Sequence, residues 1–291
     1  MQKRIAVTTD STVDLPKSIV EKYNITVCPL YVEMEGKVYP DDGVSITPEM
    51  MYDSYERTGK ICHSSACNVA DYVDIFTKVK ENCDQIIHVG LSEELSCSVR
   101  NARMAAEEVG DVFVVDSRNL STGIALVTLT ACDLIAEGKL SAEEIAEKLN
   151  EMTPRVDVSF IIDTLDYLHA GGRCSSLARL GANLLKLNPS IIVRDGAMSV
   201  GKKFRGTTES ARMKYGLGCL HDPEDIIPDR LFFTHSGRLE DEQIKVILDE
   251  VKKIVPFKEV EVTKAGCVIS AHCGPGTYGL LFVRKTPIIK D

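Results

Sequence analysis

The chain has 291 residues, of which 44% are hydrophobic and 26% charged, and this is ordinary usage for a globular protein. Its formal net charge of −9 argues against a nucleic-acid-binding role and against attraction to an anionic membrane surface, because both require a basic face. The N-terminus lacks a signal-peptide pattern and no apolar run approaches about 18 residues, so we expect a cytoplasmic protein without an integral membrane segment.

Strand and helix patterns alternate along the first half of the chain. Buried-strand patterns occur at residues 4–9, 25–31, 37–40, 85–90 and 112–115, with Glu35-Gly36 as a hairpin turn. Helical patterns occur at 14–23, 48–58, 69–80, 95–109 and 119–137, and from the capping box at Ser141 to about 152. This rhythm predicts an α/β domain over residues 1–153, with a mainly parallel sheet and helices on both faces.

The second half has a different texture, and Thr153-Pro154 is the predicted linker. Strand patterns occur at 158–162, 190–194, 197–201, 230–235, 257–263, 267–271 and 278–283, with a hairpin turn at Asp195-Gly196. Helical patterns occur around Leu165 and Leu168 and at 176–187, 207–220 and 239–254. Mixed order with hairpins predicts an α+β domain with a mixed sheet over residues 154–291.

Familiar catalytic motifs are missing from the sequence. There is no phosphate-binding P-loop, no G-x-S-x-G nucleophile elbow, no C-x-x-C pair and no H-E-x-x-H helix. Residues 274–279 fit G-x-G-x-x-G, but a strand-like run follows where a dinucleotide site needs a helix. We therefore interpret these glycines as a turn or a close approach of backbone to a ligand.

Cysteine and histidine clusters raise the question of a metal site. The soft ligands are Cys62, His63 and Cys67 in one cluster, and Cys267, His272 and Cys273 in another. Their spacings match no zinc module, so the sequence predicts neither a metal nor another cofactor.

Small hydroxyl residues lie near the starts of two predicted helices. Ser64 and Ser65 precede the helix that Asn68 caps, and Ser96 and Ser98 follow strand 85–90. At the carboxyl ends of parallel strands, helix N-termini and hydroxyl groups offer donors to an anionic head group. Each serine can equally be a helix cap that has no ligand.

The second half offers three further polar candidates. Arg173 follows a glycine pair, Arg205 precedes Gly206, and His272 lies beside a glycine-rich segment. A histidine there can donate to a carboxylate through either ring nitrogen. Each of the three can also be a surface charge or a satisfied core group.

Taken together, these segments make the chain resemble the DegV family of fatty-acid-binding proteins. The resemblance is carried by the segments 10–16, 38–43, Leu95-Ser96, Asp116-Ser117, Gly171-Gly-Arg173, Phe204-Arg-Gly206 and 272–276, in this order. It implies a two-domain α/β protein with a lipid chain buried between or beneath the domains. It also implies that Ser64, Ser96 and His272 hold the fatty-acid carboxylate. We expect Ser98 and Arg173, identified above from the residues, to belong to the same ligand site.

The resemblance further implies a partner. Arg173 and Arg205 match arginines near the mouth of the lipid site, where some family members meet a fatty-acid kinase. The chain departs from the family pattern at Ala66-Cys67, at 97–99 and at Asn188, which bears on acyl-chain preference and on that partnership.

We therefore expect a non-catalytic carrier that binds one long-chain fatty acid, such as palmitate, and presents it to a kinase. The serines lack an assigned base, so the sequence identifies no catalytic residue. One alternative is a phosphotransferase subunit or a small-molecule kinase domain, in which His272 carries a phosphoryl group. Another is a structural interaction protein, which predicts a solid interior.

Overall fold

The computed structural model describes residues 3–174 and 188–288, which fold as two α/β domains, as predicted. In the first half, helices return the chain between parallel strands. Its strands are β1 (Ile5–Asp10), β2 (Thr26–Cys28), β3 (Tyr31–Met34), β4 (Lys37–Pro40), β5 (His63–Ser65), β6 (Gln85–Gly90) and β7 (Val112–Asp116). Its helices are α1 (Lys17–Lys22), α2 (Pro48–Thr58), α3 (Val69–Lys80), α4 (Ser98–Val109), α5 (Thr122–Glu137) and α6 (Ala142–Met152).

The strands of the first half form two separate sheets. One is parallel, in the order β2-β1-β6-β7, and the other is antiparallel, in the order β4-β3-β5. The single strand predicted at 25–31 is wrong, because the chain passes from one sheet to the other at Pro29, which has no N–H to donate. The hairpin turn is confirmed, since Glu35 and Gly36 both have positive φ, as the tight β3–β4 connection requires.

The second half supplies the mixed sheet. Its strands are β8 (Val156–Ile161), β9 (Asn188–Arg194), β10 (Ala197–Phe204), β11 (Ile226–His235), β12 (Glu259–Lys264) and β13 (Tyr278–Arg284), in the order β10-β9-β8-β13-β11-β12. Its helices are α7 (Asp166–Gly171), α8 (Thr208–Gly218), α9 (Asp241–Ile254) and α10 (Cys267–Cys273). The hairpin at Asp195-Gly196 is confirmed, and the helix predicted at 176–187 lies outside the described residues.

One prediction in the second half is wrong. The β-branched pair Val268-Ile269 favours a strand over 267–271, yet these residues begin helix α10. The first-turn amides of α10 donate to Asp14 and Asp41, and the helix packs against α2 and α7. These tertiary contacts override the local preference.

Helix α5 packs between the two domains. It is apolar on nearly every side and packs against β1 and β6 of the parallel sheet and against β8, β11 and β13 of the mixed sheet. At Gly123 an added Cβ would lie 2.7 Å from Val158 Cγ2, so glycine allows the helix to approach β8 closely. The helix begins three residues later than predicted, because Ser121 has a non-helical backbone (φ 51°, ψ −142°).

The mixed sheet is covered on both faces. One face packs against α5 and the first domain, and the other packs against α8 and α9. Whether the domain boundary lies at residue 153 stays a prediction. Across the described ranges 3–174 and 188–288, no helix combines the length and apolar character of a membrane span.

Candidate functional site

A cavity lies between the two domains, where both halves of the chain contribute its walls. Its volume is about 170 Å³, counted as the space open to the centre of a water-sized sphere. Its apolar wall consists of Leu30, Leu91, Leu120, Val158, Phe160, Met198, Val268 and Leu281, among others. A concave, mainly apolar space is typical of a small-molecule site. We call it the interdomain cavity.

Several hydroxyl groups on the wall of the interdomain cavity are already satisfied by the protein. The Thr234 hydroxyl lies 2.6 Å from that of Thr122, and the Ser236 hydroxyl donates to the Gly274 carbonyl at 2.5 Å. The Thr277 hydroxyl likewise donates to a backbone carbonyl at 2.8 Å. Because these groups are paired with the protein, they have little to offer a polar ligand.

The polar end of the cavity has a different character. Ser64, on the edge strand β5, has its Oγ 2.7 Å from Nε2 of His272, which lies near the end of α10. Residues 208 positions apart in sequence thus meet across the domains. Arg173 interacts electrostatically with His272, and Arg173 and Ser96 both line the cavity. We call these four residues the head-group cluster.

Burial governs the charge of His272. Desolvation, with smaller contributions from Arg173 and His63, lowers the pKa of His272 to about 4, so the imidazole is neutral at pH 7. Its Nδ1 is buried without a hydrogen-bond partner. Gly171 packs against this atom so closely that an added Cβ would lie 2.2 Å from it. The ring is therefore held with Nε2 as its only usable polar atom.

The two serines after strand β6 have different positions. Ser96 is partly exposed and lines the cavity, whereas Ser98 is fully buried and is not part of the lining. The two hydroxyl oxygens lie 2.9 Å apart, and the Ser98 N–H donates to Ser96 Oγ at 3.2 Å. Ser98 thus orients Ser96 at the start of α4.

The two predicted arginines differ in their position relative to the cavity. Arg173 lines the cavity, is exposed, and donates to the Gly171 carbonyl at 2.6 Å. Arg205 is exposed after strand β10 and does not line the cavity, and its carbonyl accepts from Lys214 at 3.1 Å.

The sequence interpretation missed several residues of the cavity. Cys97, which is exposed, lines the cavity, and so do Ser121, Thr234 and Met198. The position of Thr234 near the end of β11 is a usable signal, because strand ends in α/β sheets border ligand sites. Ser121 carried no comparable signal, since its positive φ is visible only in the structure.

The contact between Ser64 and His272 also bears on catalysis. An activated serine needs a histidine whose second nitrogen is oriented by another group, usually a carboxylate. Here Nδ1 of His272 has no such partner. In residues 3–174 and 188–288, no group of three or more His, Cys, Asp or Glu side chains is arranged to hold a metal ion, including the two cysteine clusters. The arrangement suits hydrogen bonding to an anion.

Comparisons with known proteins agree with this description. Residues 4–285 match the profile of the DegV family, described as uncharacterised proteins. A DegV domain-containing protein of Clostridium acetobutylicum is 32% identical over 97% of this chain and 99% of its own length. Another from Caldanaerobacter subterraneus is 29% identical over 97% of this chain and all of its own length.

Solved structures extend the comparison to fold and ligand. A fatty-acid-binding DegV family protein of Thermus thermophilus superposes with a TM-score of 0.87 at 29% identity, covering 97% of this chain and 99% of that one. DegV of Bacillus subtilis, a fatty acid binding protein, gives 0.84 at 28% identity, covering 97% and 100%. A stearic acid-binding protein of Eubacterium ventriosum gives 0.83 at 25% identity, covering 97% and 98%. This chain belongs to the DegV family.

Proposed function

We propose that this protein binds one long-chain fatty acid, with the alkyl tail in the interdomain cavity and the carboxylate within the head-group cluster. The observation that carries the proposal is the Ser64–His272 contact at the wall of a mainly apolar cavity. The similarity to structures titled as fatty-acid-binding proteins supports the same ligand class.

The neutral imidazole determines how the head group is held. A buried N–H without a partner is rarer in proteins than an acceptor without one, so the favoured tautomer has its proton on Nε2. Nε2 then donates toward Ser64 Oγ or toward the ligand, and the Ser64 hydroxyl is free to donate to the carboxylate. Ser96 provides a further hydroxyl donor, and Arg173 provides positive charge at the mouth.

Most of the affinity comes from the tail. Each buried methylene contributes about 0.8 kcal/mol, so about 14 of them contribute roughly 11 kcal/mol before the cost of association. Hydrogen bonds to a charged group contribute about 1.5–3 kcal/mol each and must offset desolvation of the carboxylate. The head-group cluster therefore orients the ligand more than it retains it. The protein itself catalyses nothing in this proposal.

Titration of the delipidated protein tests this proposal. We expect saturable binding of palmitate or oleate at one site in the micromolar range or tighter, and native mass spectrometry should show one fatty acid per chain. Absence of saturable binding contradicts the proposal. A covalent phosphoryl adduct on His272 after incubation with ATP or phosphoenolpyruvate would favour a phosphotransferase instead.

We also propose that the bound acid is presented to a fatty-acid kinase. The exposed side chains of Arg173 and Arg205 support this, since exposed cations attract an acidic partner surface. Arg205→Ala should lower the rate of ATP-dependent phosphorylation of the bound acid by a fatty-acid kinase without changing fatty-acid affinity. An unchanged rate at low ionic strength argues against this surface.

A further inference from the structure

Helix α10, which carries His272, begins without a capping side chain of its own. Its N-cap residue is Gly266, and the first-turn N–H groups of any helix lack intrahelical acceptors. Three such groups, on Gly266, Cys267 and Val268, donate instead to side chains of the first domain. The start of α10 is thus capped by residues more than 220 positions away in sequence.

Two buried carboxyl groups provide these acceptors. Asp14 Oδ1 accepts from the Gly266 N–H at 2.8 Å, and Asp41 accepts from the Cys267 and Val268 N–H groups at 2.9 and 3.3 Å. Each side chain is only 6% exposed. We call Asp14 and Asp41 together the carboxyl clasp.

Gly266 is fitted between the two acids. A Cβ added there would lie 3.2 Å from an oxygen of Asp14 and 3.2 Å from an oxygen of Asp41. A side chain at this position would therefore push against both members of the carboxyl clasp. This close fit offers a way to loosen the clasp without removing either acid.

The carboxyl clasp is also connected to the cavity wall. The Ser121 hydroxyl, which lines the interdomain cavity, donates to Asp14 Oδ2 at 2.5 Å. Ser11 donates to Asp41 at 3.1 Å and accepts from the backbone N–H of Leu30, another lining residue, also at 3.1 Å. A movement of the carboxyl clasp would therefore shift two residues of the cavity wall, Ser121 and Leu30.

An outer cleft lies on the other side of the clasp. Asp14, Asp41 and Gly266 line this cleft, and Ser236 and Ala265 line both the cleft and the interdomain cavity. The clasp thus stands beside a wall that is shared by the buried cavity and an open space. Separation of α10 from the first domain at this wall would connect the two.

Burying a carboxyl group costs folding free energy, so stability alone does not explain acids at these two positions. Desolvation raises the pKa of Asp14 to about 8, although hydrogen bonds from Ser121 and Gly266 lower it, and desolvation also raises the pKa of Asp41. Buried acids with such environments are more common at functional positions than in ordinary cores.

We propose that the carboxyl clasp is a positioning device that holds α10, and with it His272, against the first domain and thereby slows release of the fatty acid. The clasp fixes the start of α10, and His272 follows Val268 by about one helical turn. The inference rests on the proposed function, because it concerns the same cavity.

Release kinetics of the loaded protein test the inference. A fluorescent fatty acid is bound to the full-length chain and displaced by excess oleate in a stopped-flow instrument. Asp41→Asn should raise the release rate at least about tenfold. The amide has only one acceptor oxygen, whereas each of the two N–H groups needs an acceptor. Gly266→Ala, which keeps both acids, should also raise the release rate. It is the variant to use if Asp41→Asn folds poorly.

Asp42→Asn is the matched control. Asp42 is the exposed neighbour of Asp41 and, in the described part of the chain, accepts from Val44 and Ser45 of its own loop, so the release rate should not change. A role through His272 also predicts that Asp41→Asn has a much smaller effect in a His272→Ala background, whereas a purely structural role predicts the same factor in both. Release rates equal to wild type in both clasp variants, or full additivity with His272→Ala, overturn the inference. Failure of the wild type to bind any fatty acid refutes the proposed function instead.

Discussion

The two faces of the mixed sheet are built from the same strands and have opposite packing. On the face toward α8 and α9, Phe233 stacks on Tyr278 with ring centroids 4.6 Å apart, and Tyr215 packs edge-on against Tyr278 at 5.2 Å. On the face toward α5, Val158 and Leu281 leave the interdomain cavity open. Stacked and edge-on aromatic rings fill one face, whereas on the other face Val158, Phe160 and Leu281 border an open space. Successive side chains of a strand point to opposite faces, so the same strands carry the filled face and the open one.

The largest expected effect belongs to the filled face. Phe233→Ala should lower the free energy of unfolding by about 3–5 kcal/mol, because it leaves a cavity among packed aromatic rings. Fatty-acid affinity should stay unchanged, since Phe233 does not line the interdomain cavity. Chemical denaturation and ligand titration measure the two quantities. A parallel loss of affinity would mean that the two faces are not independent.

The next effect concerns the polar end of the open face. In the delipidated protein, the pKa of His272 is lowered from 6.5 to about 4 by burial, so the unfolded chain binds a proton that the folded chain does not. Stability from this group is constant above pH 6.5 and is lost as the pH falls toward 4, by up to about 3 kcal/mol. His272→Gln should flatten this part of the unfolding profile. An unchanged slope would mean that His272 is solvated.

Filling the interdomain cavity with a larger side chain should weaken ligand binding on the open face. Met198→Trp places a larger ring in the interdomain cavity and should weaken palmitate binding at least about 100-fold, or about 2.7 kcal/mol. Met104→Trp is the control, because Met104 is 58% exposed on α4. Unchanged affinity in Met198→Trp would place the tail outside this cavity.

The smallest effect belongs to a single hydroxyl. Ser96→Ala should weaken fatty-acid binding about tenfold through loss of one donor, and it should lower stability by no more than about 1 kcal/mol. Ser45→Ala, in an exposed loop, is the comparison variant. A large fall in melting temperature with unchanged affinity would identify Ser96 as a helix cap.

Sequence patterns predicted the local helices, strands and caps and the residue types of the site. They predicted the tertiary contacts around these residues less well. The cap of α3 by Asn68 and the capping box at Ser141 are both present, because such signals depend on neighbours only a turn away. Ser64, Ser96 and His272 all line the interdomain cavity. That they belong to one site was implied by family resemblance and could not be read from spacing, and that they hold a carboxylate stays a prediction.

The failures have a common cause. Helix α10 resembled a strand because its stabilising partners, Asp14 and Asp41, lie in the distant first half of the chain. The buried position of Ser98 was likewise beyond prediction, because nothing in sequence distinguishes a buried serine from one that faces a cavity. Long-range contacts decide both cases, and periodicity carries no information about them.

The exposed thiol of Cys97 lines the interdomain cavity, so a dye attached to it can report on that cavity. All ten cysteines lie in the described part of the chain, and among them Cys97 is the exposed one. Buried thiols react slowly with alkylating dyes because they stay protonated, as at Cys273, where burial raises the pKa to about 12. A solvatochromic maleimide should therefore label Cys97 first. Attached there, the dye would report fatty-acid binding and release under the proposed function in real time, without an engineered cysteine.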